Sequence, residues 1–116
     1  MLRGMRTLLS ALLLAAMLTP GPPVTDADVL ARVRSAATPA EEMALSQYYW
    51  RKAAAEAPRI AYYDELFRTY MDLEGKVNEP LQRQARELLK AARETRQHFE
   101  LLAQAHKTRA LKASEQ

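Results

Sequence analysis

The chain has 116 residues, of which 21 are alanine and three are glycine, and it contains no cysteine. This length allows one small domain, and the lack of cysteine excludes a disulfide framework, a thiolate zinc site and a cysteine nucleophile. The formal net charge of +3 falls to +1 without residues 1–23, because 15 basic side chains then face 14 acidic ones. That is too little basicity to predict a nucleic-acid partner.

The N-terminal segment, residues 1–23, has the pattern of a secretory signal. Two arginines precede an uncharged apolar run over Thr7–Leu18, and prolines with one glycine follow at residues 20–23. The run is shorter than the roughly 20 apolar residues that span a bilayer. We predict an export signal, with candidate cleavage points after Gly21 and Ala27, or an uncleaved inner-membrane anchor; a buried N-terminal helix is the alternative. The protein is then periplasmic or secreted, and it touches the membrane only through an uncleaved segment.

Residues 24–38 are predicted to be a connector that contains a short helix over Asp28–Ser35. The pair Thr38 and Pro39 is typical of an N-cap followed by the first helical residue. Helical signals continue from there, so the first long helix is predicted over about residues 40–73.

Two breaks interrupt the helical pattern. Pro58 removes one backbone hydrogen bond and is expected to kink the first long helix. Residues 74–78 contain the only glycine after residue 23, and they separate this helix from a second one predicted over about residues 79–112. No strand alternation is visible. We therefore predict an all-α fold in which residues 39–113 form an antiparallel two-helix hairpin.

A heptad pattern in the second helix predicts how the two helices pack. Small and apolar residues alternate spacings of four and three along it: Leu81, Ala85, Leu88, Ala92, Thr95, Phe99, Leu102 and His106. The first helix carries a facing stripe: Leu45, Tyr49, Ala53, Ile60, Tyr63, Phe67 and Tyr70. Outside this seam, basic residues are interleaved with glutamates four positions away, so this face is interpreted as solvated. The pairs are Arg83/Glu87, Lys90/Glu94 and Arg96/Glu100.

Three aromatic residues fall outside the predicted seam. Tyr48, Trp50 and Tyr62 are expected to form an exposed aromatic interaction face. A second copy of the chain could cover this face and give a four-helix bundle, so a homo-oligomer is predicted. Another envelope protein, or packing by the connector of residues 24–38, is the alternative.

The sequence contains no recognisable catalytic, cofactor-binding or metal-binding signature, and none is predicted. His98 and His106 are two helical turns apart, too far to share one metal ion on a straight helix. His106 is expected to lie across from Leu45 and near Glu42, bonded to Glu42 or to water. The alternative is a metal- or small-ligand site that uses His106 and is completed by Glu42 or by a second copy.

Two segments carry a further pattern: residues 45–70 read LSQYYWRKAAAEAPRIAYYDELFRTY, and residues 102–110 read LAQAHKTRA. Over residues 41–110 the chain resembles short exported bacterial helical-hairpin proteins of uncharacterised function. The matching positions are Tyr48, Tyr49, Lys52, Ala53, Glu56, Ala57, Leu102, Ala103, His106 and Ala110. Glu42 and Tyr63 stand where that group often has histidines, and Arg109 stands where a methionine is usual. The resemblance implies the hairpin and the export, and it assigns no ligand.

These observations predict an exported, non-enzymatic protein of the bacterial envelope with a structural, interaction or chaperone-like role. The second hypothesis is a helical bundle that binds a metal or a small ligand through His106.

Overall fold

Four helices make up most of the chain that the computed structural model describes, residues 19–75 and 78–115. They are α1 (Val29–Ser35), α2 (Pro39–Ala55), α3 (Ala57–Met71) and α4 (Glu79–Ser114). Within these ranges there is no strand, which confirms the predicted all-α class. Most of the predicted signal segment lies outside the described residues. Among the helices described, none combines the length and the apolar character needed to cross a membrane.

The start of α2 is fixed by a reciprocal set of hydrogen bonds around Thr38. The Thr38 hydroxyl accepts a hydrogen bond from the Glu41 backbone N–H at 3.2 Å. The Glu41 carboxylate in turn accepts from the backbone N–H groups of Ala37, at 2.6 Å, and of Thr38, at 3.4 Å. This is a capping box, and it satisfies donors that have no partner at the beginning of a helix. The prediction of Thr38 as N-cap and Pro39 as first helical residue is confirmed.

The first predicted long helix is divided in the structure, because α2 ends at Ala55 and α3 begins at Ala57. Glu56 lies between them with helical backbone angles. Pro58 has no N–H to donate to the carbonyl of Ala54, so the helical hydrogen-bond ladder loses a member at this point. Glu56 is 8% exposed, and its carboxylate accepts hydrogen bonds from the Arg59 guanidinium at 3.1 Å.

A reciprocal pair of hydrogen bonds between Thr25 and Asp28 organises the turn before α1. The Thr25 backbone N–H donates to the Asp28 carboxylate at 2.7 Å, and the Asp28 N–H donates to the Thr25 hydroxyl at 3.3 Å. The hydrogen bond from the Thr25 backbone, helped by the Thr25 hydroxyl and the nearby Arg32, lowers the pKa of Asp28 below its ordinary value of 3.8. The ionised form of Asp28 therefore favours the folded state.

The lowered pKa of Asp28 leads to a first prediction on pH dependence. Its stabilising contribution is fully present above the pKa of the unfolded chain and is lost as the pH falls through the folded-state pKa. We expect Asp28→Asn to unfold at lower denaturant concentration than wild type near neutral pH, and the difference to disappear in acid once Asp28 is protonated in the folded state as well. Denaturant titrations at several pH values test this. A difference that persists in acid would contradict it.

The chain forms two compact units, and the first of them combines two segments that are distant in sequence. The described part of the first unit comprises residues 19–49 and 102–115, and that of the second comprises residues 50–75 and 78–101. In the second unit α3 contacts α4 through polar groups. The Gln82 amide donates to the carbonyl of Tyr70 at 2.9 Å, and a nitrogen of Arg93 lies 4.0 Å from the Asp64 carboxylate.

Burial along α4 corrects part of the predicted seam, since three of its eight positions are exposed. Ala85, Ala92 and His106 are buried as expected, but Leu81, Leu88 and Leu102 are 45%, 43% and 42% exposed. The second buried column consists instead of Leu89, Ala103 and Ala110. The exposed column of Leu81, Leu88 and Leu102 and the buried column of Leu89, Ala103 and Ala110 flank Ala85 and Ala92 on opposite sides. Both columns repeat at multiples of seven residues, so the heptad spacing alone did not determine which of them is buried. Small residues allow close approach of the backbones, which favours the column that contains two alanines.

Candidate functional site

A buried carboxylate–imidazole pair is the most prominent polar contact in the first unit. Glu42 lies in the first turn of α2 and is 3% exposed, while His106 lies on α4 and is 8% exposed. Their closest atoms, Glu42 Oε2 and His106 Nδ1, are 2.7 Å apart, which is a short hydrogen bond. The predicted contact between His106 and Glu42 is confirmed.

The second carboxylate oxygen of Glu42 contacts an arginine. Arg109 Nε lies 3.3 Å from Glu42 Oε1, and the Arg109 side chain is 64% exposed. Arg109 follows His106 by three residues on α4, so both side chains leave the helix on the same face. The contact of Arg109 with Glu42 was not predicted from the sequence. The spacing of three residues between His106 and Arg109 was the signal that could have indicated it.

Apolar and polar contacts hold the pair in place. The ring of Tyr49 stacks on the His106 imidazole, with centroids 5.5 Å apart and planes 10° apart. One turn after Glu42, the Ser46 hydroxyl donates to the backbone carbonyl of Ala103 at 2.8 Å. Within the described ranges, every buried side-chain nitrogen and oxygen has a hydrogen-bond partner. The pair is therefore part of a fully satisfied polar network.

A metal site at His106 would include Glu42, its nearest carboxylate. Glu42 and His106 are two side chains of types that bind metals. His98, the other histidine, is exposed. In residues 19–75 and 78–115 no group of three or more His, Cys, Asp or Glu side chains is positioned to hold an ion. A metal at this position would need further ligands from water or from another chain.

Tyr48 does not belong to an exposed aromatic interaction face, contrary to the prediction from the sequence. This residue is 8% exposed and packs in the core of the first unit with Val24, Ala44 and Leu45. Its hydroxyl donates to the Asp26 carboxylate at 2.7 Å. Tyr48 was predicted to be exposed because it falls outside the heptad seam, but the connector covers it. The alternative in which the connector packs on the aromatic residues holds for this residue.

The two other residues of the predicted aromatic interaction face are exposed. Trp50 is 39% exposed and Tyr62 is 61% exposed, and both belong to the second unit. The ring of Tyr62 contacts that of Tyr63 in an edge-on arrangement, with centroids 5.6 Å apart. We call Trp50 and Tyr62 the exposed aromatic pair. Large aromatic side chains left in water are candidates for contact with a partner.

Comparisons with protein families, curated proteins and solved structures give no match to this chain. The resemblance noted for residues 41–110 stays a prediction.

Proposed function

We propose that this chain is an exported, non-enzymatic interaction protein of the cell envelope that associates with a second copy of itself. The exposure of Trp50 and Tyr62 is the observation on which the proposal rests. Export is supported by the sequence pattern of residues 1–23. A chaperone-like role or an envelope partner would use the same exposed aromatic pair.

The proposed architecture is an antiparallel hairpin in which α2 and α3 run against α4, and two hairpins form a four-helix bundle. Contacts within each unit support antiparallel pairing, because a residue of α2 meets a residue late in α4, whereas a residue near the end of α3 meets a residue early in α4. In the first unit Ser46 bonds to Ala103, and in the second unit Arg86 lies over the Phe67 ring at 5.5 Å. Two helices bury little area on their own, which favours association.

The second prediction concerns self-association. Burial of one large aromatic side chain contributes roughly 1.5–3 kcal/mol. We therefore expect Trp50→Ala to weaken the dimer by about ten- to a hundredfold, and the melting temperature of wild type to rise with protein concentration. Sedimentation equilibrium and melting curves over a concentration series measure both effects.

Leu30→Ala is the matched control for Trp50→Ala. Leu30 lies on α1 and is 71% exposed, so its removal takes away apolar surface without touching the exposed aromatic pair. The control should leave the dissociation constant unchanged. A monomer at high concentration, with a melting temperature independent of concentration, would refute the dimer and leave the pair available to a different partner.

Export has its own test. A reporter that is active only in the periplasm, fused after residue 40, should be active in cells. An inactive fusion that accumulates in the cytoplasm would contradict the proposed location.

Metal or small-ligand binding through His106 is the alternative function, and the 2.7 Å contact with Glu42 is the observation in its favour. Metal analysis of the purified protein tests it. Under our proposal His106→Gln does not change the metal content. Stoichiometric zinc, copper or nickel in wild type that disappears in His106→Gln would favour the alternative.

A further inference from the structure

An open cleft in the second unit combines an apolar floor with a surplus of positive charge. Its volume is about 650 Å³, which is within the range of small-molecule sites. Phe67 of α3 and Leu89 of α4 supply the apolar part, and Leu89 is 6% exposed. Four basic and two acidic side chains also line it, a net charge of +2: Arg86, Lys90, Arg93 and Arg96 with Glu94 and Glu100.

Three of the cations follow one face of α4. Arg86, Lys90 and Arg93 are four and three residues apart, so they project from successive turns of the same side. The guanidinium of Arg86 is held over the ring of Phe67, with 5.5 Å from its central carbon to the ring centroid. This cation–π contact orients the Arg86 side chain before any ligand arrives.

The interleaved glutamates neutralise this face less than the sequence predicted. Arg96 pairs with Glu100 at 3.5 Å, as expected from their spacing. In the described part of the chain, Lys90 makes no ion pair with Glu94 or with any other carboxylate. Arg93 reaches Asp64 only at 4.0 Å. Among the described residues, neither Arg86 nor Lys90, which are one turn apart on α4, forms an ion pair with a carboxylate.

We propose that this cleft binds an amphiphilic phosphate monoester. A phosphate monoester carries nearly two negative charges at neutral pH and three acceptor oxygens, which match the net charge of the lining and its adjacent donors. Arg86 binds the phosphate through its planar fork of N–H groups, and Lys90 binds it as a point charge. The apolar part of the ligand covers Phe67 and Leu89. This binding does not depend on export or on self-association.

Dodecyl phosphate below its critical micelle concentration is a suitable probe, with inorganic phosphate and dodecanol as its two halves. Isothermal titration of the full chain should give binding to dodecyl phosphate that is at least about tenfold tighter than to either half. Vesicles of phosphatidylcholine with and without phosphatidic acid form a second arm. Preference for the soluble probe identifies a free ligand, and preference for the phosphatidic acid vesicles identifies a lipid headgroup.

The matched variants are Lys90→Ala and Arg83→Ala. Both remove one positive charge from an exposed position of α4, but only Lys90 lines the cleft. We expect Lys90→Ala to weaken binding about tenfold and Arg83→Ala to leave it within about twofold. Equal losses in the two variants would show diffuse charge attraction and overturn the proposal. The proposal would also be overturned if wild type bound neither dodecyl phosphate nor the vesicles that contain phosphatidic acid.

Discussion

Replacing Glu42 by alanine is expected to lower the free energy of unfolding by about 3 kcal/mol. The change leaves His106, which is 8% exposed, without its hydrogen-bond acceptor, and a cavity remains where the carboxylate was. Arg109 also loses its partner, but its side chain is 64% exposed and can turn to water. The loss therefore falls at the lower end of the range for a broken buried pair. Denaturant unfolding followed by circular dichroism measures it.

Two variants make this result specific to the contact. Glu65→Ala removes an exposed glutamate that makes no ion pair within the described residues, so its effect should stay within about 0.5 kcal/mol. The double variant Glu42→Ala with His106→Ala should be less destabilised than the sum of the two single variants, because the second change no longer breaks a contact. Additive losses would mean that the 2.7 Å contact between Glu42 and His106 does not couple them energetically.

Removing the connector up to Ala27 is expected to destabilise the protein by roughly 3–4 kcal/mol relative to a chain that begins at Thr19. Val24 is 2% exposed, and its burial accounts for the larger share. The hydrogen bond from Tyr48 to Asp26 contributes about 1 kcal/mol more. Thermal and denaturant unfolding of the two shortened chains measure the difference.

Single substitutions separate this effect from the shortening itself. Val24→Ala and Asp26→Ala should each reproduce part of the loss, whereas Arg34→Ala, on the exposed side of α1, should not. Equal stability of the two shortened chains would show that the contacts of the connector up to Ala27 do not contribute to the free energy of unfolding.

The same contacts bear on where an export signal could be removed. The Gly21 N–H donates to the Ala40 carbonyl at 2.9 Å, and Arg32 donates to the Pro22 carbonyl at 2.8 Å. Cleavage after Ala27 would remove these contacts together with Val24 and uncover Tyr48. We therefore expect the exported protein to retain Val24. Mass spectrometry of the N-terminus of the exported protein checks this.

Local signals in the sequence were sufficient for the all-α class and for the start of α2. The cap at Thr38 depends on residues within three positions of one another, so its pattern is complete in the sequence. The contact between Glu42 and His106 was also predicted, because the predicted register of the two periodic helices places these positions together.

Tertiary packing decided the features that the sequence left open or misplaced. The rotation of α4 buries Leu89 and exposes Leu88, although both fit a heptad, because the packing of backbone against small residues selects one column. Tyr48 is buried by the irregular residues before α1, where Val24 packs with its ring and Asp26 accepts its hydrogen bond. A segment without periodicity does not encode the surface on which it docks. Helical periodicity specifies which residues share a face, whereas only the folded chain determines what covers that face.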